Sequence, residues 1–216
     1  MKEKKHLFCL VKLTCLYLPV NQIILLYLYQ IYSRMKNNLA HSYKKKLNHI
    51  TTFIFDIDGV LTDGKVYIPD TGNLIRSMHT KDGFAIKTAL KKGYRVAIIS
   101  GAQDENVIRR LQYLNIKDIF IKIQNKLPVY KKYLKDNNLR PEEVLYMGDD
   151  IPDLPLLQNV GLSAAPRDAV QEVLETVDYI SHHKGGETCV RDVIEQVLRV
   201  QGNWKFNTEQ NETAAN

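Results

Sequence analysis

Asp56 and Asp58 close an apolar run, "TTFIF", and Gly59 follows them directly. Three further acids, Asp149, Asp150 and Asp153, follow a second run, "VLYMG". Carboxylates gathered at one place repel one another unless a cation sits among them, and ligation by oxygen alone suits Mg2+. Ser100 and Gly101 end a third run, "RVAII", and Lys126 opens a helix after a fourth, "IFIKI". A hydroxyl donor and a fixed positive charge are what a phosphoryl group needs. Singly, an Asp-x-Asp-Gly is more often a solvated turn and a lone helix-start lysine is an exposed one. In order, each behind an apolar strand, the four segments support one another.

The elements that must position them alternate along the chain. Strands are expected at Thr51–Ile57, "RVAIIS", "DIFIKI", "EVLYM", "GLSAAP" and "DYIS". Helices are expected at "DGFAIKTALKKGY", at "DENVIRRLQYLNI" capped by Asp104, and at "KLPVYKKYLKDNNL" with Pro128 in its first turn. "LPLLQNV", "DAVQEVLETV" and "CVRDVIEQVLRV" continue the series. Such alternation predicts an α/β fold, a doubly wound parallel sheet with helices on both faces. Ligands of such sheets bind beyond the carboxyl ends of the strands, where all four segments end. Between Lys65 and Thr80, alternating apolar residues around a Pro-Asp-Thr-Gly turn predict a β-hairpin flap. Neither residues 59–99 nor residues 127–148 leave room for a separate cap domain, so an isolated subunit would have an open site.

Charge excludes little until it is located. The net +6 is concentrated in residues 1–34, which hold five cations and one acid; the rest carries 25 basic and 23 acidic residues. A nearly neutral body argues against nucleic-acid binding. Of three cysteines only Cys189 lies in the body, which fits a reducing, cytoplasmic compartment. Residues 1–34 form an extension of different composition. Leu13–Ser33 is uncharged and long enough to cross a bilayer, but Pro19, Asn21 and Gln22 interrupt it. A weak anchor, a flexible tail and a start site placed too early, with Met35 the true one, all remain open. Residues 35–50 read as a polar amino-terminal segment, 51–204 as the body and 205–216 as a disordered tail.

"DIDGVLTDG", "IISG", "IQNK" and "GDDIPD" resemble, in order and spacing, the four motifs of the haloacid dehalogenase superfamily of phosphatases. The resemblance implies a Rossmann-type fold of that superfamily and a division of labour. Asp56 would be the nucleophile that forms an aspartyl-phosphate. Asp58 would be the general acid to the leaving alkoxide and then the base that activates water. Ser100 would bind a phosphoryl oxygen, and Lys126 would neutralise charge beside the nucleophile. Asp149, with Asp56 and the backbone carbonyl of Asp58, would hold Mg2+, and Asp150 and Asp153 would complete or orient that shell.

Over about Ile50 to Trp204 the chain is similar, through "DGVLTDGKVYI", "HTKDGFAIK" and "KGGETCVRDVIEQV", to capless 3-deoxy-D-manno-octulosonate 8-phosphate phosphatases of lipopolysaccharide synthesis. These are homotetramers, so a neighbouring subunit is implied to close each site over the small phosphorylated sugar acid. By position, His79, Thr80, Lys81, Asp82, Gly83 and Lys87 match the family's substrate-contacting stretch, beside Asp58, Ser100, Gly101 and Lys126. Three departures touch specificity: Ala102 stands where many relatives have Arg, His79 where Asn is common, and Glu187-Thr188-Cys189 interrupt a glycine-rich pattern. The alternative substrate is a nine-carbon 3-deoxy-nonulosonate 9-phosphate. A phospho-acceptor domain, which would not need Asp58 as an acid, ranks lower, as does a non-catalytic or membrane-tethered scaffold, since no motif is degraded.

Overall fold

The computed structural model describes Tyr29, residues 43–70 and residues 74–206. The rest of the Leu13–Ser33 stretch, the hairpin tip at residues 71–73 and the tail beyond Phe206 lie outside the described residues. Among the described residues, no helix is long and apolar enough to cross a membrane.

Six parallel strands form one sheet: β1 (Thr52–Phe55), β2 (Arg95–Ile99), β3 (Asp118–Phe120), β4 (Val144–Met147), β5 (Leu162–Ala165) and β6 (Tyr179–Ile180). Their order is β3-β2-β1-β4-β5-β6, so the chain changes direction of winding between the neighbours β1 and β4. Thr52 lies beside both Arg95 and Val144, and Phe55 beside both Ile98 and Met147. The two central strands therefore end level, and the residues after them share one edge.

Helices α1 (Thr80–Lys91), α2 (Glu105–Tyr113), α3 (Lys126–Asp136), α4 (Leu154–Leu157), α5 (Gln171–Thr176) and α6 (Cys189–Val200) cover the sheet. Side chains of a strand alternate between its faces. Phe53, Phe55, Ile98 and Met147 pack in one core with Ile86, Leu111 and Ile194 of α1, α2 and α6. Ile54, Ala97, Ile99 and Tyr146 pack in the other with Tyr130, Leu156 and Val173 of α3, α4 and α5. Burial on both faces is why these strands read as unbroken apolar runs.

Three elements differ from expectation. Among the described residues the hairpin contracts to a single antiparallel bridge between Tyr67 and Ile75, each amide bonding the other's carbonyl at 3.0 Å. Two short strands without a third, or a covering helix, gain little from pairing, and Tyr67, Ile68 and Ile75 stay exposed. The helix expected over 168–177 begins only at Gln171, after a turn at Arg167–Asp168. The polar segment before β1 joins the body: Leu47 and Ile50 are buried, and Lys46 pairs with Asp178 at 2.6 Å.

Candidate active site

Asp56 is the first residue beyond β1, and its amide bonds the carbonyl of Met147, the last residue of β4, at 3.1 Å. One carboxylate oxygen accepts the Ile57 amide at 2.7 Å; the other lies 2.8 Å from the Lys126 ammonium. Lys126 is 4% exposed, because α3 starts with its first residue turned in toward the sheet. The ammonium also meets Asp153 at 2.5 Å and the Tyr146 hydroxyl at 3.4 Å.

Asp153 is a hub. Its Oδ1 receives Lys126 and the hydroxyl of Tyr146, which is fully buried on β4. Its Oδ2 accepts the backbone amides of Asp149 at 2.9 Å and Asp150 at 3.3 Å. The turn that allows this needs Gly148, where a Cβ would stand 2.4 Å from the Asp153 carboxyl carbon. Gly59 has a matching constraint: its φ is +77°, and a Cβ there would lie 1.9 Å from Asp149 Oδ2. The Gly186 amide bonds the Val60 carbonyl at 2.9 Å and the buried Cys189 thiol bonds it at 3.2 Å, holding the turn after Asp58 from behind.

One carboxylate oxygen each from Asp56, Asp149 and Asp153 lies within 4.8 Å of the others. The electrostatics record the crowding. Burial, then the carboxylates of Asp56, Asp153 and Asp150, push the Asp149 carboxyl up to about 8 against the pull of Lys126. Burial likewise raises Asp56, with Asp153 adding to it, while Lys126 and the Ser100 hydroxyl oppose. Burial works to lower Lys126, but Asp56 and Asp153 outweigh it and hold the ammonium charged. A single cation is too little for three crowded carboxylates, two of them buried and Asp149 half-buried. Asp56 and Asp149, beside an Asp153 already engaged by protein donors, therefore fit a divalent, oxygen-loving ion.

Asp58 stands on the turn, 37% exposed at its side chain, and both its oxygens are gripped by Arg76 at 2.7 and 3.1 Å. Ser100 is buried at the end of β2 and accepts the Ala102 amide at 3.2 Å; Gly101 is exposed beside it. Asp150 stands apart from the carboxylate group, exposed and capping the Ile151 amide at 2.7 Å.

The stretch from His79 to Lys87 divides. His79 caps α1 by accepting the Lys81 amide at 3.1 Å, while Thr80 and Lys81 face solvent. Asp82 and Gly83 are buried: Asp82 accepts the Arg191 amide, and Gly83 lies where a Cβ would meet Arg110 and Leu114 at 3.0 Å. The Lys87 ammonium rests 4.1 Å above the Tyr113 ring. Sequence reasoning missed Arg76, hidden among alternating hairpin residues, and Tyr146, which reads as core in "VLYM". No local signal marks either.

A doubly wound sheet whose central strands carry Asp56 and Asp149, with lysine and serine from the flanking segments, defines a haloacid dehalogenase-like hydrolase. The family model of that description matches residues 84–165. The chain is 36% identical over 157 residues to the 3-deoxy-D-manno-octulosonate 8-phosphate phosphatase KdsC of Salmonella typhi, covering 73% of this chain and 84% of that one. The Yersinia pestis phosphatase of the same name superposes with a TM-score of 0.74 at 31% identity, over 75% of this chain and 88% of that one. The Moraxella catarrhalis phosphatase, solved with magnesium, phosphate and KDO, superposes with a TM-score of 0.73 at 29% identity, over 74% and 92%. The chain belongs to the 3-deoxy-D-manno-octulosonate 8-phosphate phosphatase family.

Proposed function

We propose that this protein is a Mg2+-dependent phosphomonoesterase that hydrolyses 3-deoxy-D-manno-octulosonate 8-phosphate to the free sugar acid and phosphate, supplying a lipopolysaccharide precursor. The observation that carries the reading is the Asp56–Lys126–Asp153 contact beside Asp149, with Asp58 two residues on and open to solvent. An Asp56 oxygen attacks phosphorus, the ester P–O bond breaks, and Asp58 gives its proton to the departing alkoxide. Asp58 then takes a proton from water, whose oxygen attacks the aspartyl-phosphate and frees Asp56 and phosphate. Lys126 neutralises charge beside the nucleophile, and Ser100 offers its hydroxyl to a phosphoryl oxygen. Asp56, Asp149 and the Asp58 carbonyl would hold Mg2+, which supplies charge neutralisation for the phosphoryl oxygens when bound. Asp153 spends both oxygens on protein donors, so its part is to fix Lys126 and the turn after β4. His79, Thr80, Lys81 and Gly101 enter the proposal as substrate residues and Asp150 as an outer shell residue; Lys87, beside the starts of β2 and β3, could serve only a neighbouring subunit's site, and Asp82 and Gly83 act through packing.

The same reading carries a homotetramer whose neighbouring subunits close each site, and a cytoplasmic location. Support for the first is the apolar hairpin arm, with Ile68 81% exposed beside an open centre. Support for the second is Cys189, a buried free thiol. Phosphate release by the purified protein with Mg2+ tests the function, on the eight-carbon sugar phosphate against the nine-carbon 3-deoxy-nonulosonate 9-phosphate. Turnover of the former that disappears in Asp56→Asn is expected. Preference for the nine-carbon substrate moves the specificity, and no release from either overturns the reading. Light scattering behind gel filtration tests the assembly; an active monomer defeats it.

A further inference from the structure

Arg76 is the residue that the proposed chemistry leaves unexplained. Its guanidinium spans both oxygens of Asp58, Nε at 2.7 Å and Nη2 at 3.1 Å, a fork-on-fork pairing that fixes orientation as well as distance. The third donor, Nη1, reaches Asp104 Oδ2 at 2.9 Å. Asp104 cannot follow a moving arginine, because its other oxygen caps α2 through the Asn106 amide at 2.8 Å and the Val107 amide at 3.4 Å. A chain of contacts therefore runs from the rigid start of α2, through Arg76, to the side chain of Asp58.

Burial gives the chain a direction. The side chains of Arg76 and Asp104 are 6% and 7% exposed, whereas that of Asp58 is 37% exposed. The carboxylate is gripped from its protein side and left open on the other, where a leaving group would stand. Without the grip, Asp58 would hang from a turn beside Gly59 with, among the described residues, only the Thr62 hydroxyl, at 3.4 Å, to hold it. An arginine placed only to neutralise the hairpin would not need both oxygens of one acid and a helix-capping partner for its third donor.

We propose that Arg76 is the positioning residue for the acid/base Asp58, holding its carboxylate in place from an anchor on Asp104. This rests on Asp58 being the acid of the proposed reaction. Removing the grip should cost most where a proton must be delivered to a poor leaving group. The second-order constant kcat/KM covers binding and the first phosphoryl transfer, so it leaves out the later water attack.

The test measures kcat/KM of wild type, Arg76→Ala, Arg76→Lys, Asp104→Ser, Asp58→Asn and the double variant Asp58→Asn with Arg76→Ala. Substrates run from p-nitrophenyl phosphate to alkyl and sugar phosphates. Arg76→Ala should lose at least about tenfold more on alkyl than on aryl phosphates, a fraction of what a general acid contributes. Arg76→Lys, a charge without the fork, and Asp104→Ser, which keeps a cap but drops the anchor, should fall between. The double variant should match Asp58→Asn alone. Equal losses on every leaving group, or a double variant much worse than Asp58→Asn, overturn the inference and leave a structural ion pair. If Arg76→Ala does not fold, Arg76→Lys and Asp104→Ser decide by the same slope. If Asp58→Asn keeps the wild-type slope, the acid assignment itself fails; if it loses the slope and the arginine variants keep it, only Arg76 fails.

Discussion

Asp82, in the first turn of α1, accepts the backbone amide of Arg191 at 2.7 Å and so caps helix α6 from another element. The helix has no cap of its own, since Thr188 at its start is left-handed, with φ +77°, and makes no side-chain cap bond. Among the described residues, the other oxygen of Asp82 is buried without a hydrogen-bond partner. Burial, against the pull of the α6 amides and of His79 and His183, pushes this carboxyl up to about 6.

A raised carboxyl stabilises the fold while it is protonated. That contribution is complete below the unfolded value near 4 and is lost as pH rises through 6, at most about 3 kcal/mol over two units. Asp82→Asn keeps an acceptor for Arg191 and has no charge to bury. Urea midpoints should show the variant gaining on wild type between pH 4.5 and 7.5. Parallel curves would mean that Asp82 does not titrate in that window.

The same residue shows where the sequence was legible and where it was not. Strand ends, helix starts and the Asp104 cap are local events, and a run such as "RVAIIS" or an acid before an amphipathic helix announces them. The four-segment site followed, because a doubly wound sheet brings strand ends to one edge whatever their separation in the chain. Pairings across elements carry no such mark. Asp82 looks like a substrate-facing acid until α6 packs against it. Asp153 looks like a ligand until Lys126, Tyr146 and two amides claim its oxygens. Arg76 is 18 residues from Asp58 and looks like a hairpin cation. The hairpin itself was legible as alternation, but not its contraction to one bridge, which depends on what else lies beside it.

Gly59→Ala should damage metal binding before it damages the fold. The left-handed backbone costs about 1–2 kcal/mol for a side-chain-bearing residue. The new methyl would also stand 1.9 Å from Asp149 Oδ2, so that carboxylate must move. A Mg2+ titration of activity should shift at least about tenfold upward, roughly 1.4 kcal/mol of binding, with circular dichroism unchanged. Wild-type Mg2+ dependence would mean that Asp149 is not a ligand.

Tyr146→Phe should be a stability variant first and an activity variant second. It removes a hydroxyl that donates to Asp153 in a fully buried setting, leaving Oδ1 with Lys126 alone. A hydrogen bond to a charged group is worth about 1.5–3 kcal/mol, and denaturant midpoints should fall accordingly. Turnover should fall less than in Lys126→Ala, since the Asp56–Lys126 contact does not run through the phenol. A kcat loss as large as that of the lysine variant would give Tyr146 a part in the chemistry itself.

Mg2+ and protons should compete for Asp149. Its carboxyl, pushed up to about 8 by burial and by the neighbouring acids, is largely protonated in the metal-free protein at neutral pH. A ligand must lose its proton to bind a cation, so apparent affinity weakens by about tenfold for each unit of pH below that value and levels off above it. Calorimetry at pH 7 in buffers of different ionisation enthalpy should find close to one proton released per Mg2+ bound, and almost none at pH 9. Removing the local excess of negative charge should abolish the effect: in Asp149→Asn, residual Mg2+ binding should be weak and should release far less than one proton. Full proton release in that variant would transfer the titration to Asp56, the other raised carboxyl of the group.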